Sequence, residues 1–209
     1  MLTQFKNSLI TIGITLASGL TSVAISTPAY SITLVDLSTF TSIGDVSSNN
    51  TVIKSGSLNT VDTGGGTGSL EQFLGINANN FATAIPENQR GSAIKSTLNN
   101  INAGDVFSFN WNFTSGDTDQ AFVTINNVIQ TLTGNSSYSY TFASSGSYNI
   151  GIGVVDTVDA TGVSTLTLSN AQIQGVPWET DTLPVLGSTV LFGIGVWAKR
   201  KFNRHSNNF

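Results

Sequence analysis

"DVFSFNWNF" occupies residues 105–113 and alternates aromatic with polar from Phe107 to Phe113. In an extended chain, successive side chains point to opposite faces. Val106, Ser108, Asn110 and Asn112 therefore share one face, and Phe107, Phe109, Trp111 and Phe113 share the other. Such a row has two uses: it can organise a core, or it can lie exposed as a platform on which sugar rings stack. The core reading is preferred, because a contiguous exposed apolar row of that size promotes aggregation.

Similar runs lie on either side. "SITLVDL", "SAIKSTL", "QAFVTI", "SYSYTF", "SYNIGIGVVD" and "VSTLTLS" are rich in β-branched or aromatic residues. The clusters "NAGD", "TSGDTD", "GNSS", "SSGS" and "DATG" separate them and supply turn residues. Seven or eight strands in residues 32–175 predict an all-β domain, an antiparallel β-sandwich of jelly-roll type. In "YNIGIGVVD", Ile150, Ile152 and Val154 take one face, and Gly151 and Gly153 on the other predict close approach by a neighbouring element. One short helix is expected at "SLEQFLGI": Ser69 caps it, Leu70, Phe73 and Leu74 face inward, and Gly75 ends it. The preceding "SGSLNTVDTGGGTGS" reads as a flexible loop. Its glycines are not followed by Gly-Lys-Ser/Thr, so it is no phosphate loop.

The two ends read as addresses. Residues 1–31 have the form of a secretory signal peptide. Lys6 precedes an uncharged apolar run from Leu9 to Ile25, and "STPAYS" supplies small residues, so cleavage is expected after Ser31 or after Ala29. At the other end, Val176, Pro177, Glu179 and Pro184 mark a short polar motif in residues 176–184. A charge-free run gives a transmembrane helix over residues 183–198. It is short for a bilayer core, and snorkelling of the flanking lysines narrows the gap. Lys199, Arg200, Lys201 and Arg204 then form a basic tail over residues 199–209. The positive-inside rule keeps that tail cytoplasmic and the body outside the inner membrane.

The body, Ile32 to Gly175, holds three basic residues against ten acidic ones, a net charge of −7. Such a surface cannot neutralise phosphates, which excludes nucleic acid as a partner. The chain has no Cys, and its one His is His205 in the tail. Thiol chemistry, disulfides, a Ser-His-Asp triad and imidazole metal sites are thereby absent from the body. Carboxylates remain. Asp117 and Asp119 lie in one loop and Asp156 and Asp159 in another, and if the fold joins these loops the four can bind calcium through oxygen ligands. The competing reading is that Asp occupies turns because its side chain bonds nearby backbone amides. No cofactor other than calcium is expected. Hydrolysis by paired carboxylates needs a cleft that no residue pattern announces, so the chain reads as non-enzymatic.

The tripartite C-terminus, "VPWETDTLPVLGSTVLFGIGVWAKRKFNRH", resembles the PEP-CTERM sorting signal of bacteria, with Trp178 standing inside the Pro-Glu-Pro pattern. The segments "LEQFLGI", "GSAIKSTLNNINAGDVFSFNWNF", "DQAFVTINN" and "YSYTFASSGSYNIGIGVVDTVDATGVSTLTLSNAQI" resemble the lectin-like β-sandwich found in exported proteins carrying that signal. Where members often end on Asp-Asn, this chain has Ser169 and Asn170. The resemblance implies a cell-envelope or surface protein handled by export machinery and an exosortase-like protease, structural or matrix-associated. It implies, as the alternative, a carbohydrate-binding module in contact with polysaccharide.

Overall fold

The aromatic row of residues 107–113 turns inward. Phe107, Phe109 and Trp111 are buried, and Phe113 is half-buried against the same cluster. The computed structural model describes residues 30–158 and 162–176. In chain order the strands are β1 (Ile32–Leu34), β2 (Thr41–Ile43), β3 (Asp45–Ser47), β4 (Val52–Lys54) and β5 (Val61–Asp62), then β6 (Asn88–Ile101), β7 (Val106–Thr114) and β8 (Gln120–Ile125). β9 (Val128–Leu132), β10 (Ser136–Thr141), β11 (Gly146–Thr157) and β12 (Thr165–Gln174) follow. Two α-helices, α1 (Leu70–Leu74) and α2 (Ala78–Ala84), and a 3-10 turn at Leu37–Thr39 complete the described residues.

The strands form two antiparallel sheets. The first runs β10-β7-β12-β4-β3, with β1 on β12; the second runs β2-β6-β11-β8-β9, with β5 on β6. The expected β-sandwich is present. Twelve strands replace the expected seven or eight, because β2 to β5 span only two or three residues each, too few to show alternation. Between the sheets lie Ile53, Phe107, Phe109, Val123, Ile152, Leu166 and their neighbours. On β12, Leu166 and Leu168 face inward, and so do Ala171 and Ile173. That change of parity takes a bulge between Ser169 and Gln172, with Asn170 at φ 52°. Asn is one of the few residue types that enters this conformation readily.

The second sheet also buries its outer face. Leu70, Leu74, Ile76, Phe81 and Ile85 pack there on Ala93, Phe122 and Val155. The Phe81 and Phe122 rings meet edge to face, with centroids 5.3 Å apart. The glycines of β11 make this approach possible. A Cβ on Gly151 would lie 2.6 Å from a Leu74 methyl, and one on Gly153 would lie 2.6 Å from the Phe122 ring. Helix α1 is capped as expected, with the Ser69 hydroxyl accepting from the Gln72 amide and Gly75 left-handed at φ 75°.

Two expectations need correction. The single short helix is accompanied by α2, whose cap is Asn77, accepting from the Asn79 and Asn80 amides. Phe81 is its buried residue, so no apolar period betrays it. The "flexible" glycine loop is tied down instead. Buried Glu71 accepts from the Gly64 amide at 2.7 Å and the Gly65 amide at 3.4 Å, and β5 pairs within the same stretch.

At one open side of the sandwich, Tyr138 of β10 donates a 2.6 Å hydrogen bond to Gln130 of β9, tying the edges of the two sheets. Burial, with Tyr140 adding to it, pushes the Tyr138 phenol up to about 12.

Candidate functional site

Three features stand out: two opposite ends of the sandwich and a groove on its second sheet.

Both chain ends leave from one end. β1 pairs with β12 in the register Ile32↔Gln174, and the Gly175 amide donates to the Ser31 carbonyl at 2.8 Å. Asp105 sits buried in the β6–β7 turn beside them. One of its oxygens accepts from the Asn102 amide at 2.8 Å, and the other accepts from the Val176 amide at 3.1 Å. A short polar side chain closing a turn on its own backbone is common; here its second oxygen also holds the exit of the chain. Ser31, Asn99, Asn102, Asp105, Ile173 and Val176 are among the residues lining a cleft of about 520 Å³ at this end. Of the expected address residues, Ser31 and Val176 are therefore placed in the body. Ala29, Pro177, Glu179, Pro184, Lys199, Arg200, Lys201 and Arg204 lie outside the described residues. Among the described residues, no helix is long and apolar enough to cross a membrane.

The opposite end carries the acidic loops, and the fold does join them. Thr157 donates to the Thr118 carbonyl at 2.7 Å, and Thr118 to the Thr157 carbonyl at 3.2 Å. Asp119 is buried. One of its oxygens accepts from the Ser55 hydroxyl, the other has no hydrogen-bond partner among the described residues, and its amide donates to Asp117 at 3.3 Å. Asp156 is fully buried on β11, opposite Arg90. Asp159 lies outside the described residues. Among the described residues, no three acidic side chains are grouped to hold a metal ion. Asp117 accepts from the Asp119 amide, the contact expected of an Asp in a turn.

The groove, about 370 Å³, opens beside the end of α1 and is lined by Thr41, Lys95, Thr97, Thr124 and Asn149 among others. Thr97 donates to Asn149 at 2.7 Å across β6 and β11. The Lys95 ammonium donates to the Phe73 carbonyl and sits 4.6 Å from the centre of the Phe73 ring. A lysine at the last carbonyls of a helix offsets its negative end. Hydroxyls, an amide and an ammonium share the groove with the apolar side chains of Leu74 and Ile150. The groove takes residues from five separate segments, so only "SAIKSTL", which sets Lys95 and Thr97 on one face, carries any hint of it.

Neither a protein-family model nor a curated protein matches the chain. Among solved structures there is a likeness to TmCBM61, determined in complex with beta-1,4-galactotriose. It shows 10% identity over 66% of this chain and 89% of that one, with a TM-score of 0.34.

Proposed function

We propose that this chain is an exported, non-enzymatic protein of the bacterial cell envelope, structural or matrix-associated, held or sorted through its C-terminal segment. The observation that carries this is the meeting of Ser31, Gly175 and Val176 at one end of the sandwich. A body attached there at a single point presents its acidic loops away from the attachment. The sequence on either side supports the same reading, with a signal peptide before residue 32 and an apolar run and basic tail after the motif of residues 176–184. The strand order supports the jelly-roll type. Taking β4 and β6 to β12 as eight consecutive strands, one sheet orders them 6-3-8-1 and the other 2-7-4-5, the double Greek key.

Peptide mapping of the protein from fractionated native cells tests the reading. The expected result is a membrane or surface location, with the Trp178–Trp197 peptide either intact in the membrane or removed by an exosortase-like protease. Recovery only from the cytosol would overturn it.

The alternative is a carbohydrate-binding module, and the hydroxyl- and amide-lined groove favours it. On a glycan array the full chain then binds a neutral polysaccharide, and Asn149→Ala weakens binding about tenfold, the loss of one good hydrogen bond. Repeating the array with millimolar calcium and with a chelator tests whether the Asp117 and Asp119 loop contributes through an ion. An array with no bound glycan removes this alternative and leaves the structural role.

A further inference from the structure

The export reading leaves two bonds open to signal peptidase, after Ala29 and after Ser31. We propose that the cut falls after Ala29, so that the mature protein begins at Tyr30; this rests on the export reading above.

Both bonds follow small residues, Thr27 and Ala29 for one, Ala29 and Ser31 for the other. Both bonds fit the small-residue pattern, so the cuts are compared by the product each leaves. Ser31 is a working member of the fold. Its carbonyl is the acceptor for the Gly175 amide at 2.8 Å. Its hydroxyl occupies the space that a Cβ on residue 175 would need, so Gly175 and Ser31 are fitted to each other. Ser31 also lines the cleft at this end.

The strand that Ser31 precedes has little else to hold it. β1 is three residues long, and all three side chains are exposed. Beyond it, the Val35 amide bonds the Ala171 carbonyl at 2.8 Å. In an antiparallel ladder bonded pairs alternate, so Ser31–Gly175, Thr33–Ile173 and Val35–Ala171 are the rungs. A cut after Ser31 deletes the outermost rung, strips the Gly175 amide of its acceptor and places a new ammonium on Ile32 at the fraying end. The neighbouring Val176 amide, held by Asp105, is where the C-terminal segment leaves, so the damage falls at the attachment point. A cut after Ala29 does none of this. The new ammonium then sits on Tyr30, which is 53% exposed and open to water.

The test is the N-terminal peptide of the protein purified from envelope fractions of its own cells. The expected peptide starts at Tyr30. A start at Ile32 overturns the assignment and leaves export standing, whereas Met1 retained in every fraction overturns both. As a second measurement, the two mature forms, beginning at Tyr30 and at Ile32 with the remaining chain intact, are melted side by side. The Ile32 form is expected to melt about 2–4 °C lower, the effect of one lost backbone hydrogen bond in a chain of this size. It is also expected to exchange its Gly175 amide faster. Equal melting and equal exchange would remove the physical basis of the proposal.

Discussion

Replacing Phe109 with Ala is expected to lower the unfolding free energy by about 3–5 kcal/mol, the usual range for a fully buried aromatic residue. In a chain of this length that corresponds to a fall of roughly 6–20 °C in melting temperature. Phe109 is 1% exposed. Its ring stacks on Tyr138 at 5.1 Å and tilts against Phe107 at 5.6 Å, so Ala removes a ring contact to β10 and one within β7. Asn110, next in sequence and on the outer face, is the matched control. Asn110→Ala is expected to stay within about 0.5 kcal/mol of the parent, as exposed substitutions usually do. Circular dichroism melting of both variants decides the matter. If Phe109→Ala melts with the parent, the aromatic row is no core, and the exposed stacking platform returns as its explanation.

That row was the most legible part of the molecule. Strict alternation over the seven residues 107–113 leaves one register in which the aromatic side chains are hidden, and a slip of one residue would expose all of them. The same logic reads β11, where the glycines mark the face on which α1 and Phe122 settle. Ser69 and Gly75 delimit α1 because cap chemistry is local, needing only a hydroxyl at one end and a residue tolerant of positive φ at the other. What stayed hidden depends on distant partners. β2 to β5 are too short to carry a period, and α2 has Phe81 as its single buried side chain. The order of strands across each sheet is a long-range property that alternation does not encode. The acidic loops show both sides of the problem. Turn chemistry put Asp117 and Asp119 in a loop, and the pairing of Gln120 with Val155 brought that loop to Asp156. Burial of Asp119 against Ser55 joins residues 64 positions apart, which no local pattern reports.

Glu71 is the second place where a large effect is expected, and neither the caps nor the apolar residues of the short helix point to it. Glu71→Ala is expected to cost about 2–4 kcal/mol, because two amides, of Gly64 and Gly65, lose a charged acceptor in a largely buried setting. The side chain is 1% exposed, so water cannot replace it without opening the loop. Glu71→Gln keeps the shape and one acceptor oxygen but turns an amide donor toward one of the two N–H groups. It is therefore expected to fall between Ala and the parent. Gln72→Ala supplies the comparison: its oxygen also accepts a glycine amide, from Gly68 at 2.6 Å, but at an exposed site where water can substitute. Urea unfolding gives the ranking, and exchange of the Gly64 and Gly65 amides gives the mechanism. The expected pattern is faster exchange at those two amides in both Glu71 variants, with the Gln72 variant close to the parent. Unchanged stability in Glu71→Ala would mean that the glycine loop is held by β5 alone. The buried carboxylate would then have no role in fixing the layer of helices to the second sheet.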